Sequence, residues 1–198
     1  MNELPTIKAI IFEISQRYIN CKSYMDEGIA QLISEDNIRR RAKFESRIVP
    51  DHLYKLKYQT LSPKLESECV ICCTQNGVIS TSQYLQGFDS RRRALTVGVA
   101  ECCGITMLIP PLIFTDMLSS FKARIVDLEF DALESILFHD TECFKLTCPD
   151  GHTLVCGKND FVIRYVDWVI STDPPMKLTF ELSQVALDAA IKDEEFVL

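Results

Sequence analysis

The feature that most constrains this chain is an internal repeat. Phe44-Glu-Ser-Arg-Ile-Val49, Glu68-Cys69 and Asn76-Gly77 recur as Phe121-Lys-Ala-Arg-Ile-Val126, Glu142-Cys143 and Asp150-Gly151. The first pair is offset by 77 positions and the others by 74, so one three-residue length change brings all of them into register. Self-similarity of this kind predicts two related halves, residues 44–120 and 121–198, preceded by an N-terminal strand or helical segment over 1–43. No low-complexity linker parts the halves, so they are expected to share one sheet system in one compact domain.

The net charge of -7 opposes adhesion to nucleic acid or anionic membrane, because a globally acidic surface repels phosphate unless a local basic patch overrides it. No apolar run approaches the roughly 18 residues of a membrane span, and Met1-Asn-Glu-Leu-Pro5 lacks the basic-then-apolar layout of a signal peptide. Nine cysteines is an odd number, and Cys72-Cys73 and Cys102-Cys103 are adjacent, which suits a reduced compartment better than a disulfide framework. A nuclear or cytoplasmic location is expected, with no membrane partner.

Along the chain, Thr6 to Ser15 fits either a helical stripe or a β-branched strand. Its tail Phe12-Glu-Ile-Ser-Gln16 resembles Phe180-Glu-Leu-Ser-Gln184, which would make it a strand. Residues 24–46 read as helix, with Met25, Ile29, Leu32 and Ile33 as the stripe and a restart at Ser34-Glu35-Asp36. Pro50 stops that element. Glu68 to Ser82 reads as a β-hairpin turning at Asn76-Gly77. Strands are expected at 94–101 and 105–109, ended by Pro110-Pro111, with a short helix over 113–119. In the second half, 121–126 reads as strand, 130–138 as helix, 143–156 as a hairpin around Pro149-Asp150-Gly151-His152, and 161–171 and 176–182 as strands split by Pro174-Pro175. Residues 184–191 read as helix, running into acidic 192–195. The fold class expected is α+β: mainly antiparallel sheet with duplicated strand-helix-hairpin halves and an N-terminal helical segment.

The candidate sites each carry a plain alternative. Arg39, Arg40, Arg41, Lys43 and Arg47 form the most basic run, read as a solvated helix end or as a patch for an acidic partner or phosphate. Arg91, Arg92 and Arg93 form a second basic group in a loop. Cys143, Cys148, His152 and Cys156 are of zinc-ligand type. If Cys148 pairs with Thr153 across the turn, however, Cys143 and Cys156 share one face while Cys148 points to the other. Small buried cysteines in a β core are the alternative, and likewise for Cys69, Cys72 and Cys73. A cysteine nucleophile would need His52, His139 or His152 beside it, and no local pattern supplies that. No phosphate-binding glycine loop, His-Glu-x-x-His helix or Gly-x-Ser-x-Gly elbow is present. An enzyme is therefore not expected, nor a cofactor. Trp168 reads as core, and Phe196-Val-Leu198 as a partner-binding tail or the start of a strand.

The order strand, helix, hairpin, strand, strand, then strand and helix over about residues 44–198 resembles the half-domain of the sliding-clamp family, which includes the replication processivity clamp and the heterotrimeric checkpoint clamp. Phe121-Lys-Ala-Arg-Ile-Val-Asp127 is similar to the first strand of such subunits, and Pro175 to Ile191 to their second strand-helix start. The resemblance implies a clamp-like replication or repair factor. Two departures oppose it. A clamp ring has more half-domains than this chain supplies. Moreover, the expected helix within Asp127 to Asp140 holds five acids and no Lys or Arg, which would repel a phosphate backbone.

The sequence thus points first to a non-catalytic scaffold subunit of an intracellular protein complex, in homo- or hetero-oligomeric contact with other subunits. A clamp-like DNA-associated factor comes second, and a zinc- or thiol-dependent protein third.

Overall fold

Residues 24–49 fold by two-residue alternation and not by helical periodicity. The structure, a computed structural model, describes residues 5–50, 53–61, 67–74, 77–81, 104–114 and 124–196. Met25, Ile29 and Ile33 are spaced by four, which suits a helix face but also places all three on one side of a strand. The chain takes the second option, as β1 (Tyr24–Ser34) and β2 (Asn37–Val49). They are joined through Glu35 and Asp36, both left-handed at φ 50° and 61°, the twist that a two-residue hairpin turn requires. The helix expected over 24–46 is therefore a hairpin, and the basic run lies along a strand.

Three further strands complete the first half: β3 (Leu53–Thr60), β4 (Ser67–Thr74) and β5 (Gly77–Ser80). The hairpin expected over 68–82 is β4–β5. The second half is β6 (Ala132–Phe138), β7 (Thr141–Thr147), β8 (Thr153–Gly157), β9 (Ile163–Thr172) and β10 (Pro175–Leu187). The hairpin expected over 143–156 is β7–β8, and the strands expected at 161–171 and 176–182 are β9 and β10. The helix expected over 130–138 is instead β6, because left-handed His139 and Asp140 turn the chain straight back to pair Phe138 with Thr141. Ladder pairing also carries β10 to Leu187, where a helix over 184–191 was expected.

All ten strands form one antiparallel sheet in the order β5-β4-β3-β2-β1-β10-β9-β8-β7-β6. The chain runs from the centre to one edge, then from the other edge back to the centre, where β1 pairs β10 from Tyr24–Leu187 to Ser34–Met176. This is the expected α+β, antiparallel class, but the duplication is not shown. Tandem copies would both be traced from centre to edge. In addition, Arg47-Ile48-Val49 lies in β2 whereas Ile125–Asp127 is a 3-10 turn, closed by Arg124 donating to Asp127 at 2.7 Å. The boundary expected between residues 43 and 44 falls inside β2.

The N-terminal segment resolves as helix α1 (Ile7–Ile19). Thr6 caps it, its hydroxyl oxygen accepting from the Ala9 N–H at 3.2 Å, and Ile10, Ile14 and Tyr18 bury one face at four-residue spacing. The stretches 12–16 and 180–184, which differ only by Ile14 for Leu182, thus take different structures. The strand expected at 105–109 is a 3-10 turn, Ile105–Met107, and Pro110 and Pro111 open the short helix α2 (Pro110–Ile113) where their missing N–H groups cost nothing. No described helix is long and apolar enough to cross a membrane. The strand expected at 94–101, most of the helix at 113–119, Arg91 to Arg93, Cys102, Cys103 and His52 lie outside the described residues.

Candidate functional site

Because side chains alternate along each strand, the register sorts the sheet into two chemically distinct faces. Ala30, Phe44, Leu56, Ile71, Leu178 and Phe180 lie on the inner face, all buried in one apolar cluster. The outer face of the same strands carries Arg41, Lys43, Glu45, Arg47, Lys55 and Lys57. A central glycine makes the inner face fit: a Cβ on Gly28 would strike the Glu181 carbonyl oxygen and come within 3.0 Å of the Phe44 ring, at the point where β10 bulges against β1.

Among the described residues, α1 and the segment 104–114 cover the inner face, with Ile125 and Val126 packed into the same core. Helix α1 packs through Ile10, Ile14 and Tyr18, with the Tyr18 ring 5.7 Å from that of Tyr24. Among the described residues, Tyr18 is the one α1 residue that hydrogen-bonds the sheet, its hydroxyl oxygen accepting the Ile163 N–H at 3.0 Å. An ion pair of 3.6 Å between Arg17 and Asp188 ties the helix end to the chain just past β10. The second piece is the segment 104–114. Gly104 (φ 77°) sits so close over β10 that a Cβ would lie 2.6 Å from Leu178 Cδ1, and Phe114 meets Tyr54 edge-on at 6.2 Å. Helix α1 touches both α2 and the 125–127 turn.

Among the described residues, one carboxyl, that of Asp26, is embedded in this apolar face. Asp26 accepts from the Tyr24 hydroxyl at 2.7 Å and from the Ser46 N–H at 3.1 Å, and it also bonds the Ser46 hydroxyl. Desolvation outweighs these three donors and pushes the Asp26 carboxyl up to about 6. The same burial, with Asp26 close by, raises the Tyr24 phenol. Nothing in the sequence marks this group while residues 24–46 are read as helix, since Tyr24, Asp26 and Ser46 meet only after β1 and β2 pair.

The cysteine and histidine candidates do not converge. The β7–β8 register is one residue away from that expected: Thr147 faces Thr153 and Phe144 faces Cys156. Cys156 therefore shares the inner face with Phe144, and Cys143, opposite Gly157, points to the other side. Among the described residues, no group of three or more His, Cys, Asp or Glu side chains could hold a metal ion. The seven described cysteines are unbridged and buried. Burial pushes the thiols of Cys21 and Cys148 up to about 11 and that of Cys156 to about 12, away from the thiolate that nucleophilic chemistry needs. His152 is held as a structural group: its Nδ1 accepts the Val169 N–H at 3.0 Å, its Nε2 lies 3.2 Å from Asp150, and its ring meets Trp168 at 5.4 Å. Trp168 packs against the core as expected.

The basic run lies along β2. Arg41, Lys43 and Arg47 share the outer face; Arg39 and Arg40 lie at the bulged start of the strand, with Arg39 3.6 Å from Glu35. A hollow of about 150 Å³ lies beside them, lined by Met25, Glu27, Glu45, Arg47 and Gln184 among others.

No family model and no curated protein matches this sequence. Among solved structures, the chain is similar to MucB in complex with MucA(peri), at 10% identity and a TM-score of 0.47 over 98% of this chain and 60% of that one. It is similar to the LolA superfamily protein NE2245 from Nitrosomonas europaea, at 10% identity and a TM-score of 0.40 over 98% and 99% of the two chains. A third is a domain assigned to outer membrane lipoprotein sorting, from Vibrio parahaemolyticus, at 9% identity and a TM-score of 0.33 over 96% and 95%. The chain thus spans 60% of the MucB structure it matches.

These findings correct four expectations. The similar structures named above are a LolA-superfamily protein, a lipoprotein-sorting domain and MucB bound to MucA(peri), not sliding clamps. The segment that the clamp resemblance needed as a DNA-facing helix is strand β6. The clamp resemblance, the clamp-like repair role and the intracellular scaffold reading are therefore set aside. The nuclear or cytoplasmic location falls with them: buried free cysteines pack as small apolar groups and do not report a compartment.

Proposed function

We propose that this chain is a non-catalytic binding protein that holds a long apolar ligand, of the acyl-chain class, between the inner face of its sheet and the cover made by α1 and residues 104–114. The observation that carries this reading is the unequal way in which the two layers are held. Strand is joined to strand by continuous backbone ladders, whereas α1 meets the sheet through Ile10, Ile14 and Tyr18 and one hydrogen bond. Apolar contact is non-directional, so a ligand chain can replace the cover's side chains without leaving backbone groups unpaired. Separating strands would break many such bonds. The layer boundary is the joint that opens at least cost.

An exposed apolar residue extends the joint outward: Leu137 of β6, which continues the inner-face series Leu133 and Ser135, is 69% exposed. Asp26 adds one polar acceptor within the apolar layer. Lipoprotein sorting, the role given to one of the similar structures, is of the same ligand class, but the reading rests on the joint. The experiment is a titration with a fluorescent long-chain fatty acid, with the unlabelled acid as competitor. Saturable binding of one probe per chain, reversed by the competitor, is expected. A probe signal that rises without saturation, or that the competitor leaves unchanged, would overturn the reading.

A further inference from the structure

We propose that β6, the strand at one edge of the sheet, pairs antiparallel with β6 of a second copy of this chain, about a two-fold axis through Ser135. Among the described residues β6 pairs with β7 alone, so along its other side the backbone N–H and C=O groups have no ladder partner there. The side chains lie open as well: none of the seven residues is buried, and Leu137 is 69% exposed. Sheet edges are commonly guarded by brevity, by proline or lysine, or by a bulge. The opposite edge, β5, is four residues long. By contrast β6 runs Ala-Leu-Glu-Ser-Ile-Leu-Phe, with no proline or lysine, and its register against β7 is unbroken from Ala132–Thr147 to Phe138–Thr141. Its single charged residue, Glu134, is met by Lys145 of β7 at 3.4 Å. A regular, mostly apolar strand at an open edge is a template for another strand.

The sequence of β6 is complementary to itself. Side chains alternate, so a partner strand must keep inner-face residues opposite inner-face residues, and the competing registers differ by slips of two. Full antiparallel overlap places Ser135 opposite the partner's Ser135, Leu133 opposite the partner's Leu137, Ala132 opposite the partner's Phe138 and Glu134 opposite the partner's Ile136. By symmetry leucine meets leucine twice on the inner face, and alanine meets phenylalanine twice on the outer. A slip one way sets Glu134 against the partner's Glu134 and Leu137 against the partner's Asp131. A slip the other way sets Phe138 against the partner's Glu134 and Leu133 against the partner's His139. Like charges directly opposite are unfavourable in a sheet, whereas apolar cross-strand pairs stabilise it. Full overlap is thus the register that matches apolar residues on both faces and opposes no acid with an acid. It also covers Leu137 with the partner's Leu133, joining the inner faces of two copies. The contact needs no ligand between sheet and cover, so it stands whether or not the proposed site is filled.

The test is sedimentation velocity of the full chain over a wide concentration series, which should show reversible exchange between monomer and dimer. Leu137→Lys, at a position open to solvent, should raise the dissociation constant at least tenfold. Ser135→Cys reports the two-fold axis itself. Directly opposed residues of an antiparallel pair have Cα atoms about 4.5–5.5 Å apart, within disulfide reach. Mild oxidation of that variant with diamide should therefore link two copies, in a band that reductant removes from a non-reducing gel. Ala132→Cys, whose counterpart lies at the far end of the paired strands, should link no more than the parent chain does. Should Leu137→Lys fail to fold, the two cysteine variants still decide the register. A chain that sediments as a monomer at every concentration would overturn the proposal. So would a dimer that a folded Leu137→Lys leaves unchanged, or one that Ser135→Cys does not link, since the interface would then lie elsewhere or in another register.

Discussion

The Tyr18 hydroxyl accepts the backbone N–H of Ile163 at 3.0 Å, and both residues are fully buried. One bond thus joins helix α1 to strand β9 across the boundary on which the proposed ligand site depends. Tyr18→Phe keeps the ring and strands the Ile163 N–H, which should cost about 1–3 kcal/mol. Urea denaturation gives that number, and hydrogen exchange should quicken in α1 more than in β1 or β10. A melt within about 0.5 kcal/mol of the parent would mean that the bond does not hold the cover.

Asp26 should make the fold weaker as pH rises. Its carboxyl is pushed from 3.8 to about 6 by burial, so between these values the folded chain holds a proton that the unfolded chain has released. The stabilisation is complete below the unfolded value and is lost through pH 6, a fall on the order of 3 kcal/mol. Asp26→Asn keeps an acceptor for Tyr24 and Ser46 without the charge, and should flatten this part of the profile. Denaturation midpoints at several pH values in that interval measure both, and an equal slope in parent and variant would contradict the assignment.

Two glycines with positive φ separate backbone strain from crowding. Gly77 (φ 125°) has nothing within 4 Å of an added Cβ, whereas one at Gly104 (φ 77°) would lie 2.6 Å from Leu178 Cδ1. Gly77→Ala should cost about 1 kcal/mol from backbone conformation alone. Gly104→Ala must also push residues 104–114 off β10, adding about 1–3 kcal/mol. Equal costs in thermal melts would show that the segment is not seated on the sheet.

Much of the second half was legible because its turns announce themselves. Asp150-Gly151 provides the left-handed glycine of the β7–β8 loop, at φ 92°, and Pro174-Pro175 marks the β9–β10 corner. The β1–β2 hairpin was hidden for two reasons. Its turn is Glu35-Asp36, without the glycine or asparagine that usually signals one, and its apolar residues are spaced by four, which both periodicities accept. The same hairpin brings Asp26 to Ser46, so misreading it concealed the one buried carboxyl among the described residues of the inner face. The duplication is not shown for a related reason: Gly77, which opens β5, and Gly151 of the β7–β8 loop both have positive φ, and shared turn chemistry does not require shared ancestry or topology.

The account turns on α1 and residues 104–114 being a cover that an apolar chain can lift from the inner face. Hydrogen–deuterium exchange with and without a saturating long-chain fatty acid tests this directly. Protection should change in α1 and in 104–114, while the ladders of β1, β2 and β10 stay as they are. Exchange unchanged across 7–19 and 104–114 in the presence of bound acid would contradict the claim and place the ligand elsewhere.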